Sequence, residues 1–180
     1  MLKGKEIAIR PVKKADLNTL LTLMNDMGSI GNYLPNTFLS ESRFIAEYEA
    51  TGMLSDASSR YVIVDTQDEI IGLTWSFKSI PYFDALELGY RIFASRNRSK
   101  GYASEALRLL CQYLFEAKSV NRLELRMAVE NSASEKVAIK GGFSLEGTHR
   151  QAAFSKGRLY DMHTYALLRS EWAEKASTHL

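Results

Sequence analysis

The sequence Arg96-Asn-Arg-Ser-Lys-Gly-Tyr-Ala103 joins a predicted strand to a predicted helix, and the rest of the chain is arranged around this junction. Upstream, residues 86–93 are rich in aliphatic and aromatic side chains, which is typical of a strand. Downstream, apolar residues recur every three or four positions over residues 102–118, which predicts an amphipathic helix. The junction therefore combines basic side chains, a glycine and a helix N-terminus.

This junction has the properties of an anion-binding loop. The first N–H groups of a helix have no partner inside the helix, and the helix dipole adds partial positive charge there. A phosphate group satisfies both. Gly101 lets a ligand approach the backbone, and Arg96, Arg98 and Lys100 add positive charge. Taken alone, the loop is equally compatible with a basic segment that only caps a helix.

Length and composition limit the class of protein. The 180 residues suit one domain, and with 46% hydrophobic and 24% charged residues the composition is that of a globular protein. A net charge of +2 is too small to indicate nucleic acid as a partner. Cys111 is the single cysteine, so no internal disulfide forms, and its place in the helical pattern predicts a packing role.

Membrane and secretion signals are not expected in this sequence. No stretch approaches the roughly 20 apolar residues of a membrane span. Charged side chains at Lys3, Lys5 and Glu6 interrupt any N-terminal signal peptide. We therefore expect a cytoplasmic protein with no membrane partner.

The remaining patterns predict a mixed α/β domain whose sheet is antiparallel at first. Helices are expected over residues 16–28, with Asp16 as the N-cap, over residues 40–53, and over residues 131–141. Ser132 and Glu135 have the spacing of a capping box at the start of that third helix. Besides residues 86–93, the expected strands are residues 6–12, 60–65, 70–77, 122–127, 142–147 and 158–168, with a short polar helix after them.

Two motifs in these contexts resemble the GNAT N-acetyltransferase superfamily. Arg98-Ser-Lys-Gly-Tyr-Ala103 is similar to the family signature Arg/Gln-x-x-Gly-x-Gly/Ala, which also lies between a strand and a helix. Further on, Asn131-x-x-Ser134-x-x-Val137-x-x-Lys140-x-Gly142-Phe143, followed by Glu146-Gly147, resembles the branch of ribosomal-protein alanine and serine N-terminal acetyltransferases. The order of the predicted elements matches that family over essentially the whole chain.

The resemblance implies one domain over residues 1–180. Its sheet would be mixed and mostly antiparallel, with about six to seven strands, a splayed central parallel pair and helices on both faces. Acetyl-CoA would bind as co-substrate where the two parallel strands separate, and no metal is expected. The resemblance assigns pantetheine to the backbone of Ile92 and Phe93 and to Asn131, which alternatively only caps its helix, and the pyrophosphate to Arg98, Ser99, Lys100, Gly101, Tyr102 and Ala103.

Acetyl transfer to an amine needs a group that accepts a proton and a group that meets the leaving thiolate. Glu87 is the candidate base, because it is the carboxylate in a largely apolar strand; the alternative is a sheet-surface carboxylate paired with an arginine such as Arg91. Many relatives carry a tyrosine acid seven residues after the asparagine, where this chain has Ala138. Ser134 is therefore the candidate proton donor, or else a small residue that admits CoA.

The identity of the acceptor stays open between three hypotheses. The resemblance favours the N-terminal α-amine of a protein or peptide. The alternatives are a small amine, such as an antibiotic, a polyamine or an amino acid, and a non-enzymatic acyl-CoA sensor. A protein substrate needs an open groove, whereas a small amine favours a closed pocket with an acidic wall. Residues 28–58 would form that wall, and their sequence does not decide between the two. A homodimer is left open.

Overall fold

The computed structural model describes residues 1–35 and 37–178. The α-helices in these ranges are α1 (Leu17–Asn25), α2 (Glu41–Thr51), α3 (Tyr102–Ala117), α4 (Ser132–Lys140) and α5 (Arg169–Thr178). The strands are β1 (Leu2–Lys3), β2 (Ala8–Pro11), β3 (Ser58–Val64), β4 (Ile70–Phe77), β5 (Ala85–Ile92), β6 (Arg122–Ala128), β7 (Ser144–Ser155) and β8 (Arg158–Leu168). Within the same ranges, none of the helices has the length and apolar character needed to cross a membrane.

The strands of the described ranges form one eight-stranded sheet in the order β1-β2-β3-β4-β5-β6-β8-β7. Every neighbouring pair is antiparallel except β5 and β6, which run parallel near the middle. This confirms the predicted mixed, mostly antiparallel sheet. The count exceeds the expected six or seven because the short strand β1 adds to one edge of the sheet.

The parallel strands β5 and β6 separate along their length. Their pairing runs from Ala85 opposite Arg122 to Leu88 opposite Leu125 and stops there. β5 nevertheless continues to pair with β4 as far as Ile92, and β6 continues to pair with β8 to its end. The second halves of the two strands therefore have free edges that face each other across a gap.

Hydrophobic cores cover both faces of the sheet. Neighbouring residues of a strand point to opposite faces, so Ala8 and Ile9 of β2 belong to different cores. On one face α3 contributes Leu110, which is fully buried, together with Cys111, whose predicted packing role is confirmed. On the other face α2 contributes the buried Phe44. The helices therefore lie on both faces, as predicted.

Two predicted helix caps are wrong. Asp16 stands at the N-cap position of α1 but makes no capping hydrogen bond, because its carboxylate pairs with the buried guanidinium of Arg10 at 2.7 Å. Ser132 does not cap α4. The side-chain oxygen of Asn131 instead accepts a hydrogen bond from the N–H of Ser134 at 3.2 Å. Asn131 is thus the N-cap, one residue before the predicted capping box.

Candidate active site

The loop before α3 presents a row of backbone N–H groups. Ser99 and Gly101 have φ angles of 60° and 85°, and these left-handed residues turn the chain into the helix. The N–H groups of residues 99–104 donate to no acceptor in the described part of the chain. A Cβ at Gly101 would meet nothing within 4 Å, so the space beside the glycine is open. Free donors at the start of a 16-residue helix fit a pyrophosphate group.

Arg98 supports this loop and is not one of its free donors. Its N–H bonds to the carbonyl of Ser95 at 3.0 Å. Its guanidinium donates to the carbonyls of Ile92, Phe93 and Ser29, with distances of 3.3 and 3.1 Å to the first two. Arg98 therefore ties the end of β5 to the loop after α1, which the six-residue motif did not indicate.

The free edge of β5 is formed by the N–H and C=O groups of Tyr90 and by the N–H group of Ile92, because the Ile92 carbonyl accepts a hydrogen bond from Arg98. The N–H of Phe93 bonds to the carbonyl of Ile71 at 3.0 Å, so the N–H group of Phe93 points toward β4. The N–H groups of successive residues in a strand point to alternate sides. Those of Ile92 and Tyr90 therefore point toward β6, which no longer pairs with β5 at this level. Of the two strand residues predicted to pair with pantetheine, Ile92 thus faces the gap and Phe93 faces away from it.

A cavity of about 540 Å³ lies where β5 and β6 separate. It brings together Glu87 of β5 with Asn131 and Ser134 at the start of α4, although the two elements are more than forty residues apart in the chain. The anion-binding loop and Ile92 do not line this cavity. Another cavity, of about 790 Å³, lies at the β1–β2 edge and contains none of the predicted site residues, so we assign the chemistry to the cavity between the parallel strands.

Glu87 is mostly buried in this cavity, with 15% of its side chain exposed. Its carboxylate lies 2.9 Å from the guanidinium of Arg126. Burial raises the pKa of Glu87 above the ordinary carboxyl value, and the positive charge of Arg126 opposes that rise. Arg91, the partner considered from the sequence, is four residues further along the strand, about 13 Å away. Arg91 donates instead to main-chain carbonyls near the end of α1.

Glu87 forms the inner end of a chain of alternating charges. Arg126 also bonds at 3.2 Å to Glu124, which is 3% exposed. Glu124 in turn accepts from Arg122 at 2.6 Å, and Arg122 pairs with the exposed Glu146. Sequence reasoning missed this chain. Its signal was the alternation of Arg, Glu and Arg on one face of the strand beside Glu87.

The opposite wall of the cavity carries two hydroxyl groups. Ser134 lies one turn inside α4, and its side chain lines the cavity together with that of Tyr90. The Tyr90 hydroxyl is buried and has no hydrogen-bond partner among the described residues. Burial raises the pKa of Tyr90, and the nearby Ser134 hydroxyl partly offsets this effect. Two polar residues of β8, Tyr160 and His163, do not line the cavity.

Among its described residues, the segment 28–58 contributes no acidic side chain to the lining of the cavity. Of this segment, Tyr33, Leu34 and Pro35 line the cavity, and none of them is charged. Among the described residues, Glu87 is the one carboxylate in the lining. No group of three or more His, Cys, Asp or Glu side chains in that part of the chain is arranged to hold a metal ion.

Splayed parallel strands beside an anion-binding helix N-terminus define a fold for acyl transfer from CoA thioesters, and the chain belongs to the GNAT acetyltransferase family. The family model for the acetyltransferase (GNAT) domain matches residues 6–144. An uncharacterized N-acetyltransferase, p20, from Bacillus licheniformis is 31% identical over 177 residues, covering 96% of this chain and 98% of the relative. The ribosomal-protein-serine acetyltransferase of Escherichia coli K12 is 31% identical over 109 residues, 60% of each chain.

Solved structures show the same fold. The spermidine N-acetyltransferase of Vibrio cholerae, in complex with CoA and spermine, superposes with a TM-score of 0.83 and 22% identity, over 94% of this chain and 99% of that chain. The chain is thus a GNAT N-acetyltransferase. Its relatives differ in the amine that they acetylate, so its acceptor has to be inferred from its own cavity.

Proposed function

We propose that the chain transfers the acetyl group of acetyl-CoA to the α-amine of a peptide or protein N-terminus. One observation carries this proposal: the cavity offers a single carboxylate, Glu87, which is already paired with Arg126. A polyamine carries several ammonium groups, and each needs a negative partner when it leaves water. An N-terminal peptide brings one ammonium group followed by uncharged backbone, which matches one carboxylate.

Aromatic side chains at the cavity also favour a peptide. Tyr33, Trp75, Phe77 and Phe154 line it, and Phe154 is 65% exposed. Rigid aromatic side chains bind the side chains and backbone of a partner at low entropic cost. The same surface offers nothing to a chain of ammonium groups beyond cation–π contacts.

The residues of this chain fit acetyl-CoA as co-substrate. The free N–H groups of residues 99–104 would hold the pyrophosphate. The N–H and C=O groups of Tyr90 and the N–H group of Ile92 would pair with the pantetheine amides. Asn131 and Ser134 would flank the acetyl end from α4. Acetyl-CoA supplies the activated carbonyl carbon when it is bound.

The base has a defined position in this arrangement. Glu87 accepts a proton from the incoming ammonium group, directly or through a water molecule. Burial raises the pKa of Glu87 toward neutrality, which makes it a better base, while Arg126 keeps the carboxylate ionised. Side chains alternate along β5, so Glu87 and Tyr90 enter the cavity from opposite faces of the sheet. The carboxylate and the hydroxyl groups of Tyr90 and Ser134 therefore lie on opposite sides of the cavity.

A panel of acceptors tests the proposal. Peptides with free N-termini, the same peptides with blocked N-termini but a free lysine, and spermidine would be compared by release of CoA, with mass spectrometry locating the acetyl group. We expect kcat/KM for free N-termini to exceed that for spermidine by at least about tenfold, equivalent to about 1.4 kcal/mol. Preference for spermidine or for the lysine would overturn the peptide assignment. Binding of acetyl-CoA without turnover of any amine would support the acyl-CoA sensor.

A further inference from the structure

We propose that Tyr90 donates the proton to the leaving thiolate, with the Ser134 hydroxyl beside it in the same wall of the cavity. The inference rests on the acetyl transfer proposed above, and it holds for any amine acceptor. It assigns a role to a side chain on β5, whereas the sequence motif directed attention to α4 alone.

The first observation is that the Tyr90 hydroxyl is buried without a partner. Within the described residues, only four buried side-chain nitrogen or oxygen atoms lack a hydrogen bond, and Tyr90 and Arg126 carry the two that belong to residues lining the cavity. A buried hydroxyl without a partner destabilises a fold, so its presence calls for an explanation. A phenylalanine would fill the same space without this cost.

The second observation is the position of Tyr90 in the sheet. Leu88 is the last residue of β5 paired with β6, so Tyr90 stands where the two strands part. Its ring packs against the core that contains α3 and Ala138 of α4, which places it on the α4 side of the sheet. Ser134 and Asn131 line the cavity from that same helix. Tyr90 therefore faces the place where an acetyl group would lie between the strands.

The third observation is that the residues at the start of α4 that line the cavity, Asn131 and Ser134, offer no better acid. Ala138 is fully buried and has no polar side-chain atom. Ser134 carries an aliphatic hydroxyl, which is a much weaker acid than the phenol of Tyr90, whose ordinary pKa is about 10. Burial raises the pKa of Tyr90 further, so the phenol is fully protonated at neutral pH and available as a donor.

The proton transfers balance in this scheme. Glu87 first removes a proton from the ammonium group, and the amine nitrogen then forms its bond to the acetyl carbon. As the carbon–sulfur bond breaks, its electron pair stays on sulfur, and Tyr90 gives its proton to that sulfur to form the free thiol. The resulting phenolate takes the proton that the new amide nitrogen must lose. Tyr90 is thereby restored, and Glu87 releases to water the proton that it took from the ammonium group, so that both residues return to their starting state.

The substitution Tyr90→Phe removes only the hydroxyl. We expect kcat to fall by about 10²–10⁴-fold, the range for loss of a general acid, while CoA affinity measured by calorimetry is unchanged. The unfolding temperature should stay the same or rise, because a buried unpaired hydroxyl is removed. Tyr61→Phe is the matched control: Tyr61 is buried in the same core but does not line the cavity. It should keep wild-type kcat.

An acetyl-CoA analogue with selenium in place of the thioester sulfur distinguishes proton donation by Tyr90 from a role in positioning the substrate. A selenolate leaves without a proton, because a selenol is a far stronger acid than a thiol. The kcat deficit of Tyr90→Phe should therefore largely disappear with the selenoester. An equal deficit with both donors, or an unchanged kcat with acetyl-CoA, would overturn the proposal. Any amine that the wild type acetylates serves as acceptor. If the peptide assignment is wrong, the wild type will prefer another amine, whereas a wrong role for Tyr90 will be seen only in the kcat of the variant.

Discussion

The guanidinium of Arg126 lies 2.9 Å from the carboxylate of Glu87, and the two side chains come from the parallel strands that form the cavity. The register places Glu124 opposite Glu87, so Arg126 stands two residues further along β6 on the same face. Arg126 bonds to Glu124 as well. The guanidinium of Arg126 therefore pairs with two carboxylates, that of the buried Glu124 and that of the candidate base Glu87.

We expect Arg126→Met to raise the pKa of Glu87, because burial would then act with less opposition. Loss of an opposite charge at this distance favours the neutral form of a carboxyl group. Glu87 accepts a proton only when it is ionised, so the rate rises as pH increases through its pKa. The acid limb of kcat/KM against pH should therefore move to higher pH.

The control for this experiment is Arg122→Met. It removes the other partner of Glu124 and leaves the contact between Arg126 and Glu87 in place. Its acid limb should stay where it is in the wild type. An acid limb that does not move in Arg126→Met would show that the rate does not depend on ionisation of Glu87.

Gly101→Val should weaken CoA binding by about a hundredfold or more. The new side chain would occupy the open space beside the free N–H groups, and loss of one or two hydrogen bonds to a charged group costs about 1.5–3 kcal/mol each. Lys100→Ala should cost less, about 0.2–1 kcal/mol, because Lys100 is exposed. Calorimetry with CoA measures both.

Gly52→Val separates the steric effect of Gly101→Val from its backbone strain. Gly52 has φ of 60° and open space around it, but it ends α2. A valine there has a comparable left-handed strain, about 1–2 kcal/mol, at a site that does not contact the loop. We expect it to lower stability and leave CoA affinity unchanged. Wild-type CoA affinity in Gly101→Val would show that the loop is not part of the CoA-binding site.

Ser134→Ala should reduce kcat by roughly ten- to a thousandfold, at or below the usual range for general acids, with little change in CoA affinity. In the double variant with Tyr90→Phe the additional loss should be small, because groups that act together are not additive. Ser134→Cys serves as the size control in steady-state kinetics. Full kcat in the alanine variant would make Ser134 a packing residue.

The elements of the fold follow closely from local sequence. The helical period predicted residues 102–118, and α3 spans Tyr102–Ala117. The last strand was predicted at its observed bounds, Arg158–Leu168. β7 was predicted only to residue 147 but runs to Ser155, because its exposed second half has no alternating pattern and is held by pairing with β8.

Contacts between elements are less accessible to sequence reasoning. Arg91 was considered as the partner of Glu87 because it is near in sequence, whereas the parallel register brings in Arg126 from a distant strand. The loop motif likewise did not show that the Arg98 side chain folds back onto β5. Both relationships depend on how strands pair and where they separate, which a local pattern does not contain.

The substitution Glu87→Gln tests whether this cavity is where the amine loses its proton and attacks the acetyl group. Gln keeps the size of the side chain and removes the base. We expect kcat to fall by about 10²–10⁴-fold while the dissociation constant for CoA is unchanged. Glu146→Gln is the matched control, because Glu146 is the exposed outer end of the same chain of charges, and it should retain wild-type kcat. Wild-type kcat and an unchanged pH–rate profile in Glu87→Gln would contradict the account.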